Sequence, residues 1–299
     1  MTHGLTCAVG IIGVGNMGGA MAANLLAHGW SVHVCDIDAI KTTTLAQLGA
    51  TVHRDAAQTA AHAELLIVCV VDGVQTHEVL FGNQGAAGQM RAGQSVMLCP
   101  TIAPEDTEAV AHRLMAMGIH TLDAPMSGGP ARARNGTMSL MLACKDAVFE
   151  QHHDLLVTLS SQIFRISEQP GDGARTKLVN NLLAAINLAG AAEVLALSER
   201  MGLNLTTTLN VIEQSSGQSW IGSDRMRRAL ADDFEPRAHT TLLAKDTKLA
   251  VSAASKLCFK TPLGRLTVET FERALAHGLA GEDDASLIKL MRHDNREPT

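Results

Sequence analysis

Cys7-Ala8-Val9-Gly10-Ile11-Ile12-Gly13-Val14-Gly15-Asn16-Met17-Gly18 decides the fold. Cys7–Ile12 is an apolar run of strand length, and it enters a Gly-x-Gly-x-x-Gly turn from which Met17–His28 continues with helical composition. The glycines allow a tight turn and a close backbone approach to a pyrophosphate, while the helix start supplies unpaired amides and the positive end of its dipole. Gly13, Gly15, Asn16, Met17 and Gly18 are therefore the first candidate cofactor residues. Ser31–Cys35 is a second strand, and it ends at Asp36, about 20 residues beyond the turn, where a carboxylate would hold ribose hydroxyls. An ordinary glycine turn with an exposed Asp36 is the alternative. Strand, turn, helix, strand and acid in that order favour a dinucleotide. Asp36 also discriminates between cofactors, because a 2′-phosphate beside it meets like charge, and the next residue is Ile37 rather than a phosphate-clamping Arg. NAD is expected over NADP.

Working outward, Leu65–Val71, Ser95–Cys99 and Ile119–Leu122 are further expected strands. Their apolar runs lack alternation, which suits a parallel sheet covered on both faces, and the strand–helix repetition implies a doubly wound α/β domain of Rossmann type. The pattern changes after Gln169-Pro170-Gly171-Asp172-Gly173. From Ala174 to about Met201 the sequence is helix-compatible throughout, with one internal glycine, Gly190. Further helical segments follow, with breaks near Ser215–Ser219, Pro236 and Thr261-Pro262, and no convincing strand. Residues 1–168 are thus expected to form the dinucleotide-binding domain. Residues 169–299 would form an all-α domain for substrate binding and oligomerisation, entered through a long interdomain helix.

Composition narrows the function classes. With 46% hydrophobic and 18% charged residues, the 299-residue chain can bury two cores, and with 3% aromatics and no Tyr their volume must come from aliphatic side chains, Met and Ala. A net charge of -6 argues against a nucleic-acid partner. No uninterrupted apolar run approaches the roughly 18 residues of a membrane span, and Met1–Thr6 lacks the features of a signal peptide. The six cysteines include no Cys-x-x-Cys pair, several sit in apolar runs, and this usage suits a reducing cytoplasm. Thirteen histidines invite a metal reading, but none has His-x-x-x-His spacing with a carboxylate, and His152-His153 adjoin on a helix read as solvated. No metal is expected.

Two stretches address the reaction. Asp123-Ala124-Pro125-Met126-Ser127-Gly128-Gly129 follows a predicted strand, at the edge where open α/β sheets place ligands; Ser127 offers a hydroxyl, and Gly128 and Gly129 offer unobstructed amides to an anion. A plain Pro-Gly loop is the alternative. Gly171-Asp172-Gly173-Ala174-Arg175-Thr176-Lys177-Leu178-Val179-Asn180-Asn181 opens the long helix. Lys177, Asn180 and Asn181 stand at i, i+3 and i+4 on one face that Ala184 and Leu188 continue, which suggests a polar cleft rather than bulk solvent. A solvated Lys in the first turn is the other reading. Arg132 and Arg134 after the glycine loop are either ordinary surface residues or a preference for an acidic substrate.

With these motifs in order, and Lys245-Asp246-Thr247-Lys248-Leu249-Ala250 beyond them, the chain from about residue 8 to residue 290 resembles the β-hydroxyacid dehydrogenases. That family includes 3-hydroxyisobutyrate dehydrogenase, tartronate semialdehyde reductase and L-threonate dehydrogenase. The resemblance implies NAD-dependent oxidation of the alcohol of a small hydroxy-carboxylic acid by hydride transfer. It implies Lys177 as catalytic acid/base, Asn181 as a substrate ligand, and Ser127, Gly128 and Gly129 on the substrate carboxylate. Thr101, and Val70 and Val71 through their backbone, would line the cofactor, and Lys245 would close the site from the helical domain. It also implies a homodimer or homotetramer. A base must be neutral, and burial and a cationic nicotinamide both lower an amine's pKa. The chain departs from the family at Val71-Asp72, where Leu-Pro is frequent. A reductase of the tartronate semialdehyde type, a decarboxylating relative resembling 6-phosphogluconate dehydrogenase, and a catalytically silent dinucleotide-binding protein are the rival readings. Val70-Val71-Asp72, Val79–Gly82 and Ser219-Trp220 are similar to the L-threonate branch, and Asn180-Asn181 to 3-hydroxyisobutyrate dehydrogenase.

Overall fold

The computed structural model describes residues 7–295. The chain forms two compact units that divide after Lys177.

In the first unit β1 (Ala8–Ile12), β2 (Ser31–Cys35), β3 (Thr51–Val52), β4 (Leu65–Val68), β5 (Ser95–Leu98) and β6 (His120–Asp123) lie parallel in the order β3-β2-β1-β4-β5-β6. This is the doubly wound arrangement expected from the opening stretch. The order reverses between β1 and β4, so a crevice opens beyond their carboxyl ends. The connecting helices are α1 (Asn16–Ala27), α2 (Ala39–Gln47), α3 (Ala56–Ala61), α4 (Gly73–Phe81), α5 (Pro104–Ala116), α6 (Gly129–Arg134) and α7 (Asp146–Leu159). Alternate residues of one strand feed opposite cores. Leu65 and Ile67 pack with Met21 and Leu25 of α1 and Leu155 of α7, while Leu66 and Val68 pack with Leu80 of α4 and Leu114 of α5. Burial on both faces is why these strands carry continuous apolar runs.

Four strands went unmarked in the sequence, the two-residue β3 and three that follow β6. β7 (Met126–Ser127) and β6 both pair antiparallel with β8 (Met138–Ala143), and β9 (Ser160–Ser167) lies parallel on the far side of β8. Two strands also stop earlier than expected. β4 ends at Val68, which frees Cys69, Val70 and Val71 as loop, and β5 ends at Leu98. His152 is not solvated as read: it is buried on α7 against the sheet, 2.8 Å from Ser95 Oγ, and burial pushes its pKa down to about 4. Its neighbour His153 points the other way and is exposed, as a rotation of about 100° per helical residue requires.

The second unit continues through α8 (Asp172–Arg200), α9 (Leu205–Glu213), α10 (Trp220–Leu230), α11 (Thr240–Lys256), α12 (Pro262–Ala276) and α13 (Leu287–Asp294), with no strand among the described residues. Ala185, Leu188, Ala192 and Leu195, spaced three and four apart, place one stripe of α8 in a core with Met226, Phe271 and Ile288. Helix α8 is long and apolar enough on average to cross a membrane, although Asn180, Asn181, Asn187 and Glu193 keep it from being an uninterrupted apolar run. Ion-paired Asp172 and Arg175 in its first turn and the buried stripe account for it as the core helix of this unit.

Candidate active site

The glycine turn is held from two sides. Gly13, at φ +87°, donates its amide to Cys35 O at 3.0 Å, and Val14 donates to Asp36 Oδ2 at 2.7 Å. The other oxygen of Asp36 accepts from the Asp38 amide at 2.9 Å, so the carboxylate is fixed at the end of β2 beside the turn. A Cβ on Gly13 would meet Cys69 O at 2.7 Å and one on Gly18 would meet Gly13 O at 2.0 Å, whereas one on Gly15 meets no atom within 4 Å. The first two glycines are thus required by the protein's own packing. Gly15 caps α1 and faces open space, which fits the close approach of a pyrophosphate. Asn16 is exposed at the first position of α1, and Met17 packs against the sheet core.

The loops after β4 and β5 border the same edge of the sheet. Val70 is half-buried and Val71 is exposed, its amide donating to Gln75 Oε1 at 3.1 Å. Asp72 caps α4 by accepting from the Gln75 amide at 2.8 Å, which gives a physical reason for an acid at this position. Thr101 is half-buried in the loop between β5 and α5.

Next along the edge, β6 leads into β7 and the Ser127–Gly129 loop, whose three residues are half-buried. Gly128 and Gly129 have φ +126° and +73°, backbone that other residues rarely adopt. Arg132 braces this loop: its Nε donates to Thr137 O at 2.7 Å, and its Cδ lies 2.9 Å from where a Gly128 Cβ would be. Arg134 is exposed.

Lys177 is 8% exposed, and its Nζ donates to Met126 O at 2.7 Å, the carbonyl just before Ser127. The start of α8 is pinned to β6 to make this possible. Asp123, 1% exposed, accepts from the amides of Gly171 at 2.8 Å and Ala174 at 3.2 Å. Burial pushes its pKa up to about 6 although these amides favour the charged form. The sequence reading quoted Asp123 as part of a motif without giving it a role; its partners lie about fifty residues further on, so no local signal marks it.

In the second unit Asn181 donates through Nδ2 to Asp246 Oδ2 at 2.7 Å, and Lys245 lies 2.8 Å from Asp246 Oδ1. Asn181 and Asp246 are buried, 9% and 6% exposed. Asn180 is exposed rather than sharing the buried face, and it braces Asn181 by donating to Oδ1 at 3.0 Å. Asp246 is a further polar residue that the sequence reading passed over within its motif.

The glycine turn with Asp36 beside it, the Ser127–Gly129 loop and the buried amine of Lys177 fit a dinucleotide-dependent oxidoreductase. The comparisons give the particular family. Residues 8–167 match the family of the NAD binding domain of 6-phosphogluconate dehydrogenase, and residues 171–291 match a separate family described as NAD-binding of NADP-dependent 3-hydroxyisobutyrate dehydrogenase. An L-threonate dehydrogenase of Escherichia coli is 35% identical, with 94% of each chain covered. A 3-hydroxyisobutyrate dehydrogenase of Pseudomonas aeruginosa is 33% identical, over 95% of this chain and 98% of its own. The crystal structure of a 3-hydroxyisobutyrate dehydrogenase from Salmonella typhimurium is similar at TM-score 0.89 and 33% identity, covering 95% of this chain and 99% of that one. The chain belongs to the β-hydroxyacid dehydrogenase family.

Proposed function

We propose that this enzyme uses NAD to oxidise the alcohol of a small hydroxy-carboxylic acid of the L-threonate or 3-hydroxyisobutyrate kind, with Lys177 as acid/base. The observation that carries it is the buried amine of Lys177, held on the carbonyl that precedes the Ser127–Gly129 loop. The amides of Gly128 and Gly129 and the hydroxyl of Ser127 hold the substrate carboxylate there, and Asn181 on the next turn of α8 is the second substrate ligand. Lys177 takes the hydroxyl proton as the carbinol C–H bond breaks, leaving a carbonyl. NAD, when bound, supplies the hydride acceptor. Gly13, Gly15, Asn16, Met17 and Gly18 seat its pyrophosphate, Asp36 its ribose, and Val70, Val71, Thr101 and Lys245 complete the cofactor contacts. Apolar residues exposed along α8, among them Leu183, Val194 and Leu197, support assembly as a homodimer or homotetramer; a cytoplasmic location goes with the same reading.

Absorbance of NADH tests the activity. Mixed with NAD and a panel including L-threonate and 3-hydroxyisobutyrate, the protein should reduce NAD with at least one of them. A reductase of the tartronate semialdehyde type would instead consume NADH with the aldehyde and leave the panel untouched, and silence in both directions would reject the assignment altogether.

Asp36 supports NAD over NADP, since both its oxygens are oriented by backbone amides at the end of β2 and Ile37 beside it is fully exposed. Asp36→Ala should narrow the NAD preference by about tenfold, equivalent to about 1.4 kcal/mol, in the ratio of kcat/KM for the two cofactors. An unchanged ratio removes Asp36 from cofactor selection.

A further inference from the structure

The dehydrogenase chemistry leaves unused a group of metal-ligating side chains in the second unit. Helix α12 finishes at Ala276 with His277 as its cap, and α13 finishes at Asp294, directly after His293. One ligand atom from each of His277, His293 and Asp294 lies within 4.8 Å of the others. The two imidazoles meet edge to face with centroids 4.8 Å apart, and all three side chains are exposed.

The groups behind these ligands are arranged as an outer shell. His277 Nδ1 lies 2.8 Å from Arg273 O. Donating there fixes the tautomer and leaves the Nε2 lone pair for a ligand, the orientation that metal-bound imidazoles adopt. The Arg273 guanidinium holds Asp294 Oδ2, so its charge is taken up by that oxygen. Asp294 Oδ1 remains, 3.6 Å from His293 Nδ1. Both helices offer their carboxyl ends, whose unpaired carbonyls carry partial negative charge and favour a cation. Two imidazoles and one carboxylate suit zinc, cobalt or nickel; magnesium and calcium prefer oxygen alone.

We propose that His277, His293 and Asp294 bind one divalent transition-metal ion, with water completing its coordination. The ion ties the last turn of α12 to that of α13. Because α13 supplies Leu287, Ile288 and Leu290 to the second unit's core, binding stabilises this unit by mass action.

The full chain without a polyhistidine tag, titrated with Co2+ alone, provides the test. A visible absorption band should saturate at one equivalent and the Tm should rise, with no rise for Mg2+ at the same concentration. His277→Ala and His293→Ala should each weaken cobalt binding by about tenfold or more; these exposed positions lie outside the catalytic machinery, and NAD-linked turnover should stay unchanged. A competing imidazole cluster exists in the first unit, where the rings of His33, His53 and His62 stack with centroids 4.8–5.5 Å apart. His53→Ala should leave cobalt binding intact. Loss of binding in His53→Ala rather than in His277→Ala, or no saturable binding at millimolar cobalt, overturns the proposal and leaves two solvated histidines near helix ends.

Discussion

Lys177→Ala should lower turnover of the hydroxy acid by about a hundredfold or more, equivalent to about 2.7 kcal/mol of barrier, while NAD binding stays near that of the unaltered protein. In the proposed reaction, proton removal from the substrate falls to this one buried amine, anchored on Met126 O beside the loop proposed to hold the carboxylate. Its removal withdraws the base without touching the glycine elbow or Asp36. The carbonyl of Met126 loses a donor, which costs stability by about 1 kcal/mol, so the variant should fold. Lys177→Arg should not rescue the rate, because a guanidinium keeps the charge but cannot give up its proton at working pH. Steady-state rates from NADH absorbance, paired with a fluorescence titration of NADH, separate the two effects. Near-normal turnover in Lys177→Ala would reject the assignment. A joint collapse of rate and nucleotide affinity would mean that the lysine supports the fold instead.

The parts of this protein that were legible are those whose physics is local. β1, β4 and β5 announced themselves because a sheet covered on both faces carries nearly continuous apolar runs, and Asp36 stood where β2 had to end. β8 and β9 did not. Met138–Ala143 is as compatible with a helix as with a strand, and Ser160–Ser167 is mostly exposed, with Phe164 at 52%, so neither carries a decisive period. His152 was misjudged because its partner, Ser95, comes from a strand far back in the chain. Asp123 is the same case in the candidate site: its motif was visible, yet its grip on Gly171 and Ala174 exists only once β6 and α8 meet. Lys177 was found through its helical spacing and through resemblance; the carbonyl that holds it was not.

Gly18→Ala should damage both the fold and the cofactor site, and Gly15→Ala only the latter. At Gly18 the added carbon would lie 2.0 Å from Gly13 O and 3.4 Å from Cys69 Cβ. Gly13 cannot yield easily, because its amide is tied to Cys35 O and its own Cβ position is blocked by Cys69 O at 2.7 Å. The turn must therefore open, with strain of about 1–3 kcal/mol, enough to lower Tm by several degrees. The amides at the start of α1 move with it, and affinity for NAD should fall by about tenfold or more, since each tenfold is only about 1.4 kcal/mol. Gly15 has φ -64°, which alanine adopts readily, and its Cβ would meet nothing in the protein. Gly15→Ala should keep the melting temperature and lose NAD affinity, because the methyl group projects where the pyrophosphate is proposed to lie. Full NADH affinity in Gly15→Ala, measured by fluorescence titration, would mean that the pyrophosphate does not sit on this turn. An unchanged Tm in Gly18→Ala would show that the elbow relaxes around the methyl, and the steric reading of its third glycine would fail.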